Sequence, residues 1–121
     1  MTPKESIEFF ISSIAETCES HPASTCIVNS YEVLTEDSAP VRRVKEIFNS
    51  RSDYLTDLVE KGQRDGSIIG EFCSEYLSDM IIGLVRTTII KWRMSGFSFS
   101  LKARTVSALE LLLSRFLTNK H

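Results

Sequence analysis

The segment from Tyr76 to Trp92 sets the tightest limit on how this chain can fold. Read as a helix, its apolar residues Tyr76, Leu77, Met80, Ile81, Ile82, Leu84, Val85, Ile89, Ile90 and Trp92 point almost all round the cylinder. A helix of that kind is covered on more than one side. The segment that opens at Leu101 spreads Leu101, Val106, Ala108, Leu109, Leu112, Leu113 and Phe116 over about half its circumference, wider than the ~100° stripe of a singly buried helix. A chain of 121 residues has room for one core and not for two. Leaving so much oily surface in water would be an aggregation liability. The two closing helices are therefore expected to pair with those of a second copy as a four-helix bundle. Gly83 and Thr87 would allow a close crossing on the penultimate helix, and Val106, Leu109, Leu113 and Phe116 would face the mate from the last.

Upstream, the pattern predicts three more helices. Thr2-Pro3-Lys4-Glu5 has the form of a capping box with Pro at the first helical position. Ile7, Phe10, Ile11, Ile14 and Cys18 then recur at helical spacing until Ser20-His21-Pro22 interrupts them. A second helix is expected over residues 22–34, with Ala23, Cys26, Ile27, Ser30, Tyr31 and Leu34 on one face. Ser38 is a plausible cap for a long third helix, whose buried stripe is Val41, Val44, Ile47, Phe48, Leu55, Leu58 and Val59 and which ends at Gly62 or Gly66. The expected architecture is all-α, a five-helix bundle within one domain spanning residues 1–121.

Composition narrows the function classes. Five Gly and three Pro are too few for a hairpin-rich all-β chain. Three Cys rule out a complete disulfide framework and fit a reduced, cytoplasmic setting. No apolar run is long enough for a membrane span. Fourteen basic against sixteen acidic residues do not make an electrostatic nucleic-acid binder. The charge is nevertheless polarised: residues 1–38 hold seven acids against Lys4 alone, and from Met80 to Leu109 there is no acid beside Arg86, Lys91, Arg93, Lys102 and Arg104. Attraction between the two parts, within the fold or between subunits, is one reading, and separately solvated faces are the other.

Catalytic and metal chemistry finds little support. Cys18, His21 and Cys26 do not have zinc spacing and lack a fourth ligand nearby. No third group orients a Cys–His pair, and Glu75 and Asp79 read as an acidic edge near a helix N-terminus. No metal, cofactor or enzymatic activity is expected. Arg86 shares a stripe with Asp79 and Arg93, and could grip an acidic group of a ligand.

The segment Leu58-Val59-Glu60-Lys61-Gly62-Gln63-Arg64-Asp65-Gly66-Ser67-Ile68 is followed by Gly83-Leu84-Val85-Arg86, Lys91-Trp92-Arg93-Met94-Ser95-Gly96 and Phe97-Ser98-Phe99-Ser100-Leu101-Lys102-Ala103. This order and spacing over residues 40–117 resembles the C-terminal ligand-binding and dimerisation domain of TetR-type (tetracycline-repressor-type) transcriptional regulators. Cys73 stands where that family often has Asp as a helix cap. The resemblance implies a homodimer with an effector cavity in each subunit. Its occupant would be a small apolar or amphipathic molecule that shifts attached DNA-binding domains. Lining residues implied are Phe10, Ile14, Tyr31, Phe48, Leu55, Met80, Leu84, Arg86 and Trp92. Residues 1–38 hold no basic recognition helix, so DNA contact is expected only through a helix-turn-helix domain absent from this chain. The competing reading is a helical protein-interaction module without a ligand pocket.

Overall fold

A computed structural model describes residues 1–22 and 38–118 of the chain. The all-α expectation is met among them, with four helices: α1 (Pro3–Ser20), α2 (Ala39–Asp65), α3 (Ser74–Met94) and α4 (Leu101–Leu113). The helix expected over residues 22–34 falls, past Pro22, outside the described residues, so the structure gives four helices where the sequence predicts five.

Each helix starts where its local chemistry allows. The Thr2 hydroxyl accepts the Glu5 N–H at 3.1 Å, and the Glu5 carboxylate accepts the Thr2 N–H at 2.9 Å. That reciprocal pair satisfies two orphan donors at the start of α1. Ser38 caps α2 through the Val41 N–H, and Ser100 caps α4 through the Ala103 N–H. α2 runs past Gly62 and stops at Gly66, whose φ of 84° gives the left-handed turn that ends a helix.

The helices close a ring in which α1 packs on α4, α4 on α3, α3 on α2 and α2 on α1. Their inner faces bury Ile7, Ile11, Leu55, Val59, Leu77, Ile81, Leu101, Leu109 and Leu113 almost completely. Ser78 and Ser74 add polar links from α3 to α2, donating to the Ser52 carbonyl and the Glu60 carboxylate. The connector after α2 is tied down as well. Gln63 donates to the carbonyls of Ile69 and Phe72, and Ile69 and Thr118 donate to Phe116 and Ser67 in a short bridge to the chain beyond α4.

Candidate functional site

α3 buries one side and leaves the other bare. Tyr76, Met80, Gly83, Thr87, Ile90 and Met94 all lie exposed on it, separated by steps of four, three, four, three and four residues. That alternation keeps six side chains on one narrow line over about 27 Å of helix, and it is the spacing of an a/d seam that takes a second helix. Tyr76 is 63% exposed, Met80 47% and Met94 81%. Asp79 and Lys91 stand exposed at the flanks, so the line itself carries no charge.

Gly83 sits mid-seam. A Cβ built on it meets nothing within 4 Å among the described residues. A helix-interior glycine is about 1 kcal/mol worse than alanine, and packing among the described residues gives no reason for it.

α4 divides differently from its sequence pattern. Leu109 and Leu113 are 0% exposed and belong to the subunit core against α1 and α3. Both were expected on the dimer face, and side chains already buried within one copy have no surface left for another. Val106 turns toward α1, and Phe116 stacks edge-on against Phe72 at 5.2 Å. The outward face of α4 is carried by Ala103, Ser107, Leu111 and Ser114.

The residues expected to line an effector cavity are dispersed. Leu55 and Trp92 are packed core, with Trp92 edge-on to Phe97 at 4.7 Å. Phe10, Ile14 and Leu84 are half-buried at the margin of that core, and Phe10 meets Tyr54 edge-on at 4.8 Å. Phe48 and Met80 are exposed, on α2 and on the α3 seam. Arg86 is half-buried on the flank of α3, and Tyr31 lies outside the described residues. A groove of about 430 Å³ runs between α1 and α4, lined chiefly by Glu5, Glu8, Phe9, Glu16, Lys102 and Val106. None of the eight expected cavity residues that are described lines it.

Among the described residues no group of three metal-ligating side chains comes together. Cys18 is half-buried, and burial pushes its thiol pKa up, against a smaller pull from Arg51. Such a thiol stays protonated and unreactive at neutral pH. Cys26 is outside the described residues. Among the same residues, no helix is long and apolar enough to cross a membrane.

At the corner between α3 and α4 the sequence shows a turn over residues 95–99 and a cap at Ser100, but not the groups of α1 that reach it. There the polarised charge becomes specific contacts. The Glu16 carboxylate pairs with the Lys102 ammonium group, and the Glu19 carboxylate accepts the Leu101 N–H at 3.1 Å. Arg93 donates to the Pro22 carbonyl at 2.8 Å. The uneven charge distribution was the available signal, but it does not identify which residues meet.

The described residues thus form a ring of amphipathic helices with a bare apolar seam on α3. Comparison with protein families makes this specific: residues 2–115 match the TetR C-terminal family described as YsiA-like protein, C-terminal region. The chain belongs to that family of TetR-type C-terminal domains. No curated protein and no solved structure matches it.

Proposed function

We propose that the chain is the regulatory half of a TetR-type transcriptional regulator, acting as a homodimer joined along α3 with help from the outer face of α4. The observation that carries this reading is the uncharged seam from Tyr76 to Met94 with Gly83 at its middle. A bare glycine inside a helix is explained when a second backbone must come close. Twofold pairing puts the same seam on both partners, so one surface serves twice.

The effector is a small apolar or amphipathic molecule. The groups that could meet it lie apart in this structure: Phe10 and Ile14 are half-buried on α1, and Leu84 and Arg86 are half-buried on α3. Binding favours one arrangement of the helices over another, and the seam passes that preference to the DNA-binding domains of the full regulator. The chain itself performs no catalysis and contacts no DNA.

Sedimentation equilibrium tests the assembly. Wild-type protein is expected to form dimers at micromolar concentration, and Met80→Asp, which puts like charges in both copies of the seam, is expected to remain a folded monomer. Wild-type protein that is monomeric at those concentrations would remove the reading. A seam used by a different protein instead, as in an interaction module, would also leave the wild type monomeric. Effector binding is read separately, with 1-anilinonaphthalene-8-sulfonate as an amphipathic probe. Saturable binding to the folded dimer, weakened by Ile14→Asp or Arg86→Gln, is expected.

A further inference from the structure

We infer that the carboxyl end of α1 is a latch on the α3–α4 corner, setting the angle between the two dimerisation helices and thereby the strength of the dimer. This rests on the dimer reading above. Three contacts from α1 and the residues just past it land within residues 93–102. Glu16 pairs with Lys102, Glu19 accepts the Leu101 N–H at 3.1 Å, and the Pro22 carbonyl accepts Arg93 Nη1–H at 2.8 Å. The first two hold the start of α4 and the third holds the end of α3.

The corner itself gives α4 little direction. Its hydrogen bonds run back to α3 and its cap residue: Gly96 N–H to Arg93 O, Phe97 N–H to Trp92 O, and Ser98 N–H to the Ser95 hydroxyl. Gly96 and Phe97 both have positive φ, 70° and 64°. For phenylalanine that is a strained conformation which persists only where surroundings enforce it. Trp92, edge-on at 4.7 Å, and the Arg93 guanidinium, 5.8 Å from the ring, hold Phe97 on the α3 side. The direction in which α4 leaves is therefore set by core packing and by α1. Both groups that grip α4 are carboxylates at its positive end, where a charge-assisted N–H bond and the helix dipole add together. Because the proposed interface combines the α3 seam with the outer face of α4, a change in the angle between the two helices reaches the dimer without any contact between α1 and the mate.

The test compares two ways of weakening the start of α4. The double variant Glu16→Gln/Glu19→Gln removes both latch charges while keeping side-chain shape. Ser100→Ala removes the helix's own cap, an Ala103 contact that does not involve α1. Sedimentation equilibrium should give the double variant a dimer dissociation constant raised about fivefold or more, with helix content by circular dichroism unchanged. Ser100→Ala should stay within about twofold of wild type, since its cap acts on α4 alone. A double variant that dimerises like wild type, or a Ser100→Ala variant weakened to the same degree, would overturn the latch. A monomeric wild type would instead fail the dimer reading on which it rests.

Discussion

Ile68 folds back onto Gly62, its backbone N–H reaching the Gly62 carbonyl at 3.0 Å and its side chain lying over the glycine where a Cβ would be. A Cβ there would sit 2.4 Å from Ile68 Cδ1, 2.7 Å from Cγ1 and 3.2 Å from Cβ. Rotating the tip of Ile68 does not clear three atoms, and the side chain is buried, with nowhere to go. Gly62→Ala would gain helix propensity of about 1 kcal/mol. It would lose more by overpacking, which typically costs about 1–3 kcal/mol. The expected net result is a lower urea midpoint with an unchanged m-value, and a stabilised variant would contradict the packing described.

Cys73 stands at the N-cap of α3 with extended backbone, exposed, and makes no side-chain cap bond. The first N–H groups of α3 thus lack the acceptor that Ser38 and Ser100 supply to α2 and α4. Cys73→Asp places a carboxylate at that position and at the positive end of the helix dipole. The thermal midpoint should rise, corresponding to about 1 kcal/mol. No change would mean that these donors are already satisfied in another way.

How far the sequence could be read varies with the distance between interacting residues. The caps at Thr2, Ser38 and Ser100 and the stop at Gly66 are local, and residue order alone exposes them. Of the bare line on α3 the sequence marks Gly83 and Thr87, but with apolar residues almost all round the helix it does not say which face the subunit leaves uncovered. On α4 the same limit holds. An arc of half a circumference says that two neighbours cover the helix but not which leucines face which one. Leu109 and Leu113 turn inward because α1 and α3 occupy that side. The Glu19–Leu101 bond joins residues 82 positions apart, and nothing in the local pattern of either residue announces it. The expected cavity residues are aromatic and aliphatic groups at helical spacing, and that pattern is shared by core, margin and seam alike.

Hydrogen bonding from the Thr2 backbone N–H, with the Thr2 side chain second, holds the Glu5 carboxyl below its ordinary pKa. A carboxylate depressed in the folded state contributes stability above the unfolded value, and that contribution is lost as pH falls through the folded value. Acidification from neutral pH into the low carboxylate range should therefore fray the start of α1 in wild type. Glu5→Gln lacks the ionised partner at every pH, so its deficit relative to wild type should shrink as pH falls. Urea midpoints at neutral and acid pH check this, and a deficit independent of pH would refute it.

Thr105 is fully buried on α4, and its hydroxyl makes no hydrogen bond among the described residues. A buried hydroxyl left unsatisfied costs about 1–3 kcal/mol, while an apolar group of similar shape carries no such cost. Thr105→Val should accordingly raise the urea midpoint. A drop in stability would show that the hydroxyl has a partner, such as the carbonyl one turn earlier.

Gly83→Ala separates what one subunit wants from what two subunits need. Among the described residues of the subunit the added methyl meets open space, and replacing a helix-interior glycine gains about 1 kcal/mol. Across a close helix crossing, the same methyl pushes two backbones apart at the point of nearest approach, twice over in a symmetric pair. The variant should therefore unfold at a higher urea concentration when dilute enough to be monomeric, yet dimerise more weakly than wild type when concentrated. Opposite signs in the two measurements are specific to a crossing at this residue. A variant more stable in both would move the crossing elsewhere along the seam, and one less stable in both would mean that the space beside Gly83 is already filled within the subunit.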